Sequence, residues 1–117
     1  MDIELIRKIC NQLQGVTEDI KWGNDLVFSV GNKMFCVAGL EATPSVSFKV
    51  NEESFDELCS RTGFRPAPYL ARHHWVNVQE QAKISAAEWK VFIVQSYDMV
   101  KSKLPAKIRK QVEGNEL

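Results

Sequence analysis

Residues 25–50, DLVFSVGNKMFCVAGLEATPSVSFKV, decide the fold of this chain, because three strand-like runs follow one another there with short turns between them. The first two runs flank the pair Gly31-Asn32. A two-residue loop with glycine in its first position is typical of a type II′ hairpin turn. Such a turn places Val30 opposite Lys33 and predicts an antiparallel hairpin.

The hairpin also predicts which residues share one face of the sheet, since directly opposed residues point to the same side. Counting back from the turn, Phe28 pairs with Phe35. A turn of four residues, 41–44, then places Val37 opposite Phe48 in the third strand. The predicted buried face contains Leu26, Phe28, Phe35, Val37, Val46, Phe48 and Val50. The opposite, partly wet face carries Asp25, Val27, Ser29, Met34, Cys36, Ser45, Ser47 and Lys49.

Three helices are predicted from capping residues and from apolar side chains at helical spacing. The first begins after the cap Asp2 and ends at Gly15. The second begins after the cap Asn51. The third begins at the capping box of residues 85–88 and ends before Pro105, which cannot continue it.

Two further strands are expected outside this meander. Ile20 and Trp22 share a parity and predict a short strand before the hairpin. Residues 73–78 alternate and predict another, on which the neighbouring His73 and His74 point to opposite faces. Two such histidines cannot hold one metal ion, and no cysteine spacing completes a zinc site, so no metal site is predicted.

The composition describes one globular domain, residues 1–117, in which residues 105–117 form a basic C-terminal tail. Fifteen basic residues balance fifteen acidic ones, so no overall field favours nucleic acid or a membrane. Three cysteines without CxxC spacing are expected to be buried thiols in a reducing compartment. No signal peptide or membrane-spanning run is visible, so a cytoplasmic location is expected. No candidate nucleophile has a recognisable base, which favours a non-enzymatic domain without a cofactor.

Several short motifs, in their order and spacing, resemble the MmcQ/YjbR family over about residues 3–110. They are Lys21-Trp22-Gly23, residues 27–35, residues 68–76, Ser96-Tyr97 and Lys103-Leu104-Pro105. The resemblance implies an α+β two-layer sandwich of the frataxin/CyaY type, with helices on one face of an antiparallel sheet. It also implies DNA binding through a double-wing arrangement of the sheet and its hairpins. It implies neither a reaction nor catalytic residues.

The implied DNA binding directs attention to cations, which neutralise phosphates, and to aromatic residues, which stack on bases or wedge into a groove. The candidate contact residues are Lys21, Trp22, Lys33, Lys49, Arg65, Tyr69, Arg72, His73, Trp75, Lys103, Lys107, Arg109 and Lys110. A net charge of zero and a pI near 6.7 are unusual for a DNA-binding domain. Binding through a local basic patch is therefore expected to be weak and insensitive to sequence.

A second hypothesis is a protein- or small-ligand-binding adaptor without a nucleic-acid role. It would use the outer sheet face and residues 66–75, where aromatic and arginine side chains in a stiff loop suit a binding hot spot. A structural interpretation competes with both hypotheses: Tyr69 and Trp75 pin the loop onto the sheet, and Arg72 clamps a carboxylate or carbonyl. For Arg72 the structural role is favoured. A metal-carrying role by analogy with frataxin rests on the fold alone.

Overall fold

The computed structural model describes residues 1–114. Within them the chain forms four α-helices, one 3₁₀ helix and six strands of a single sheet. In chain order the elements are α1 (Ile3–Asn11), β1 (Val16–Lys21), β2 (Asp25–Val30), β3 (Lys33–Gly39), β4 (Ser45–Lys49), α2 (Glu52–Cys59), β5 (Phe64–Pro66), the 3₁₀ helix (Ala71–His73), β6 (Trp75–Gln79), α3 (Ala86–Ser102) and α4 (Ala106–Gly114). The predicted α+β class is confirmed. No helix of residues 1–114 has the length and apolar character needed to cross a membrane.

The sheet is a four-stranded meander extended by two strands from later in the chain. Its strand order is β1-β2-β3-β4-β6-β5, and every neighbouring pair is antiparallel. The first strand is longer than predicted, because it begins at Val16. Trp22 lies outside it, in the turn to β2, with a φ of 51°. The expected strand through Ile20 therefore exists, but Trp22 does not belong to it.

The β2–β3 turn confirms the predicted pairing but not the predicted turn type. Val30 pairs with Lys33 as expected. Gly31 and Asn32 both have positive φ, 55° and 65°, which defines a type I′ turn rather than type II′. Asparagine enters the left-handed region more readily than most residues, so the second position accepts it.

A β-bulge close to this turn changes the register that alternation alone predicts. Ser29 pairs with Met34, whereas Phe28 pairs with Cys36. Phe35 is therefore the extra residue, and the predicted pair of Phe28 with Phe35 is wrong. Cys36 takes the inward position and is fully buried, because one additional residue inverts the alternation along the rest of β3.

A second departure, in the β3–β4 loop, compensates for the bulge. Gly39 pairs with Ser45, so the loop comprises residues 40–44 and is one residue longer than predicted. Val37 consequently pairs with Ser47 on the outer face, and its predicted partner in β4 is wrong. The two differences together shift β4 by two residues relative to β2. Because side chains alternate with a period of two, the same residues of β4 still point into the core. The predicted residues that are buried are Leu26, Phe28, Phe35, Val46, Phe48 and Val50.

Local capping interactions start the helices where the sequence predicts. At α1, α2 and α3 the side chains of Asp2, Asn51 and Ser85 accept a backbone N–H at 3.0, 2.8 and 3.1 Å. Glu88 is expected to complete the capping box. Its carboxylate instead accepts hydrogen bonds from both terminal guanidinium nitrogens of Arg61, each at 2.7 Å. Hydrogen bonding to Arg61 lowers the pKa of the Glu88 carboxyl. This pair ties the start of α3 to the chain that follows α2.

The histidines and buried cysteines do not converge on one site. His73 ends the 3₁₀ helix and His74 has a φ of 62°, so the strand begins at Trp75 and not at residue 73 as predicted. Cys10 and Cys36 are buried in the core. A hydrogen bond with Cys36, together with burial, raises the pKa of the Cys10 thiol. Among residues 1–114, no three His, Cys, Asp or Glu side chains are grouped as a metal site.

Helices α1 and α3 pack on one face of the sheet, and a single hydroxyl fixes α3 to it. Ser96 is fully buried; its Oγ donates to the Phe35 carbonyl at 2.7 Å and accepts the Lys49 N–H at 3.0 Å. Phe35 is the bulged residue and Lys49 is the last residue of β4. Ser96 therefore joins β3 to β4 where the sheet's own ladder is interrupted.

The predicted basic tail begins as helix α4, which covers the hairpin turn. A Cβ placed on Gly31 would lie 2.7 Å from Leu104 Cδ1 and 2.9 Å from Ile108 Cγ2. The buried Val112 sits equally close to Gly15, since a Cβ there would lie 2.9 Å from its Cγ1. Residues 105–114 thus pack on the body of the domain, and residues 115–117 of the predicted tail lie outside the described residues.

Replacing Ser96 with alanine should destabilise the protein more than replacing Ser102, a serine on the exposed side of the same helix. Ser96→Ala leaves the Phe35 carbonyl and the Lys49 amide buried without a partner, whereas Ser102 bonds only to the Met99 carbonyl in its own helix. The expected difference is about 1–3 kcal/mol in the free energy of unfolding. Urea denaturation of both variants measures it, and equal losses would contradict the bridging role.

Gly63 and Gly23 offer a matched pair for testing backbone packing. Their φ values are 85° and 84°. At either position, alanine in this left-handed conformation should lower the free energy of unfolding by about 1–2 kcal/mol. A Cβ at Gly63 would lie 2.6 Å from the Cβ of Ala82, while Gly23 has no atom within 4 Å. The free energy of unfolding of Gly63→Ala should therefore fall by roughly a further 1–3 kcal/mol, because the added Cβ is overpacked against Ala82. Thermal unfolding of both variants tests this; a Gly23→Ala loss as large as that of Gly63→Ala would refute the close contact.

Candidate functional site

The outer face of the sheet, turned away from α1 and α3, has a fixed polar floor. Asn77 is only 4% exposed. Its Nδ2 donates to Ser45 Oγ at 3.0 Å and to Ser47 Oγ at 2.9 Å. Its Oδ1 accepts from Arg65 Nε at 3.0 Å. This network spans β4, β6 and β5 and holds Arg65 in place as a structural contact.

A groove of about 630 Å³ lies over this floor, and we call it the outer groove. Its floor includes Met34, Val37 and Asn77, and its walls include Trp22 and Tyr69. Val37 reaches this groove because of the β-bulge, which turned it away from the core. The volume is that of a site for a small organic ligand or a few units of a polymer.

The two aromatic walls are exposed and have unusual backbones. Trp22 is 69% exposed and Tyr69 is 100% exposed. Their φ values are 51° and 68°, in the left-handed region that bulky residues rarely occupy. Tyr69 therefore does not pin its loop onto the sheet. Trp75, which is 5% exposed, does take that structural position.

A second groove, of about 480 Å³, lies at the end of the strands, and we call it the strand-end groove. Lys33, Lys49, His73, Trp75 and Lys103 line it, five of the residues singled out from the sequence. The other lining residues are Met34, Met99, Val100, Leu104 and Pro105, so no carboxylate of residues 1–114 faces this groove. Met34 lines both grooves and connects them.

The lysines of the strand-end groove repel one another. Burial, followed by the charge of Lys103, lowers the pKa of Lys49. The Lys49 ammonium donates to the His73 carbonyl at 2.7 Å. None of the ion pairs formed within residues 1–114 includes Lys33, Lys49 or Lys103. A bound anion would relieve this repulsion.

The remaining candidate residues are not brought into these grooves. Arg109 Nη1 lies 3.5 Å and 3.4 Å from the carbonyl oxygens of Ser102 and Leu104, so it caps the end of α3. The other four, Lys21, Arg72, Lys107 and Lys110, are exposed. Within the described residues, the clamp expected of Arg72 has no hydrogen bond or ion pair to support it, and Arg61, Arg65 and Arg109 make the structural contacts instead.

Sequence reasoning missed the residues that shape the grooves rather than charge them. Alternation predicts Met34 on the outer side of β3, but nothing local indicates that it lines two grooves or that Asn77 organises a network. Leu104, which precedes the helix-ending Pro105, is buried and also forms a wall of the strand-end groove. The only signals in the sequence are that Met34 lies on the outer face of its strand and that Leu104 lies at the end of its helix.

These features define a small α+β domain with helices on one face of its sheet, one groove on the other face and one at the strand ends. The YjbR family model matches residues 11–99, and the chain belongs to the YjbR family. No curated protein matches it.

Two solved structures share its fold. A crystal structure of a Deinococcus radiodurans protein with a DUF419 domain superposes with a TM-score of 0.84 at 24% identity, covering 95% of this chain and 87% of that one. A crystal structure of a Pseudomonas syringae protein gives a TM-score of 0.70 at 19% identity, covering 85% of this chain and 98% of that one. At these identities the likeness shows the fold alone.

Removing the amide of Asn77 should destabilise the outer face. Asn77→Ala leaves Arg65 Nε and two serine hydroxyls without their partner. The free energy of unfolding should therefore fall by about 1–3 kcal/mol. Ser47→Ala removes one of these bonds and should lose about 0.5–1.5 kcal/mol. Guanidinium denaturation compares the two. Equal losses would show that Asn77 does not organise the network.

Proposed function

We propose that this chain is a non-enzymatic cytoplasmic domain that binds nucleic acid weakly and without sequence specificity, through phosphate contacts. The observation that carries the proposal is the strand-end groove, where Lys33, Lys49 and Lys103 meet without a facing carboxylate from the described part of the chain. Phosphate is the anion that such a cluster suits, because each lysine supplies a compact charge with several hydrogen-bond donors.

The neutral chain favours weak binding rather than none. A net charge of zero provides no long-range attraction, so affinity must come from the local patch. The acidic residues of α2, among them Glu52, Glu53, Asp56 and Glu57, are exposed on an element that does not line the strand-end groove. The local field at the groove is thus positive although the protein as a whole is neutral.

The finer fold assignment belongs to this proposal. We infer a frataxin/CyaY-like arrangement, and with it the double-wing mode of DNA binding. The antiparallel sheet with helices on one face supports it. So does the β2–β3 hairpin, which carries Lys33 into the strand-end groove next to its turn.

Removing two lysines of the strand-end groove should weaken binding uniformly across sequences. In Lys33→Gln/Lys103→Gln the log–log slope of affinity against salt on duplex DNA should become shallower by about 2, since each phosphate contact contributes roughly 0.9. Lys49 is left intact because its ammonium also bonds to the His73 carbonyl. Fluorescence anisotropy with labelled DNA at several salt concentrations measures the slope.

The matched control is Lys8→Gln/Lys90→Gln, which removes the same charge from exposed positions on α1 and α3. This control should keep the original slope. Lys107→Gln/Lys110→Gln reports whether helix α4 extends the basic surface. If the wild type fails to bind at low salt, or binds independently of salt, the nucleic-acid proposal is wrong and a protein- or small-ligand-binding adaptor becomes the better account.

A further inference from the structure

The outer groove carries two features that stability does not explain. Trp22 and Tyr69 both have positive φ, where Cβ crowds the following carbonyl. Neither side chain recovers this strain by packing, since they are 69% and 100% exposed. Asparagine or glycine would suit both positions better. Strained residues that remain exposed in a groove indicate a role in binding.

The outer groove lies next to the groove that holds the lysines. Both grooves share Met34. The loop that carries Tyr69 is anchored beside the strand-end groove, because the Ala67 N–H donates to the Trp75 carbonyl at 3.0 Å. Trp22 follows Lys21, whose pairing partners lie at the other end of the sheet. From Lys49 to Ser45 at that end is roughly 13 Å along β4, at about 3.3 Å per residue.

We propose that a short single-stranded stretch of nucleic acid occupies both grooves, with bases stacked on Trp22 and Tyr69 and phosphates on the lysines. The inference rests on the proposed function and names its substrate class. Bases in a duplex are already stacked on each other, so an exposed aromatic side chain stacks more readily on the bases of an unpaired strand.

The charges of the two grooves fit this orientation. The outer groove is lined by Asp25 and Glu41, and its one cation, Arg65, is bonded to Asn77. That end disfavours phosphates and accepts the uncharged faces of bases. Among the described residues, the strand-end groove is lined by three lysines and by no carboxylate, so it receives the phosphates. The occupied stretch is therefore a few nucleotides long.

The test compares oligothymidylate, oligouridylate and a duplex of matched length with wild type, Trp22→Ala and Tyr69→Ala. Each alanine variant should lose about tenfold in affinity for both single strands, the usual effect of removing one stacking aromatic residue. Duplex binding and the salt slope should not change, because an aromatic side chain neutralises no phosphate. Val91→Ala, at a 52% exposed position on α3, is the control and should bind as wild type.

Tryptophan fluorescence gives a second, direct readout. Of the three tryptophans, Trp75 and Trp89 are 5% and 6% exposed, so stacking of a base should quench Trp22. In Trp22→Phe the quenching should disappear while most of the affinity is retained. Circular dichroism confirms that each variant is folded.

The outcomes separate this inference from the function on which it rests. If Lys33→Gln/Lys103→Gln weakens binding but the aromatic variants do not, or weaken duplex and single strands equally, phosphate binding stands and the stacking site is refuted. If quenching persists in Trp22→Phe, Trp22 is not the stacking residue. If no nucleic acid binds at low salt, both proposals fall.

Discussion

The side-chain hydroxyl of Ser96 is the contact on which the geometry of the sheet depends. A bulge frees the Phe35 carbonyl from the β2–β3 ladder, and β4 ends at Lys49. Buried backbone groups without partners are costly, so the bulge persists only if another element satisfies them. Ser96 satisfies both with one oxygen, at 2.7 and 3.0 Å. Helix α3 thereby sets the register of the sheet that it covers.

The bulge has consequences on the opposite face. By inverting the alternation of β3, it buries Cys36 among the helices and releases Val37 to the outer groove. Met34, on the turn side of the bulge, lines both grooves. One extra residue therefore closes the core on one side and shapes a binding surface on the other.

Charge and aromatic surface are separated in space on this protein. The lysines gather at the strand ends, while the exposed Trp22 and Tyr69 flank the outer groove. A chain with balanced totals can hold a locally positive site because its acids lie elsewhere, as on α2. Net charge consequently determines the long-range attraction of a ligand, whereas the arrangement of side chains determines the local charge of the site.

The sequence by itself determined the features that depend on neighbouring residues. The caps Asp2, Asn51 and Ser85, the pairing across the Gly31-Asn32 turn and the buried parity of β4 are short-range interactions, so a few residues specify each. The sequence also identified cations and aromatic residues as candidate contacts, but it did not predict where they lie relative to one another.

The tertiary structure decided what depends on distant residues. The bulge requires a hydroxyl 61 positions further along the chain, so no local pattern could reveal it. The expected clamp at Arg72 makes no hydrogen bond or ion pair within the described residues, whereas Arg65 bonds to Asn77 on a neighbouring strand, and sequence neighbours do not distinguish the two arginines. Likewise, Lys33 lies in β3, Lys49 lies in β4 and Lys103 directly follows α3. Only packing α3 against the sheet brings them to one groove, since the contacts that do so are long-range and their energies are set by burial rather than by sequence neighbours.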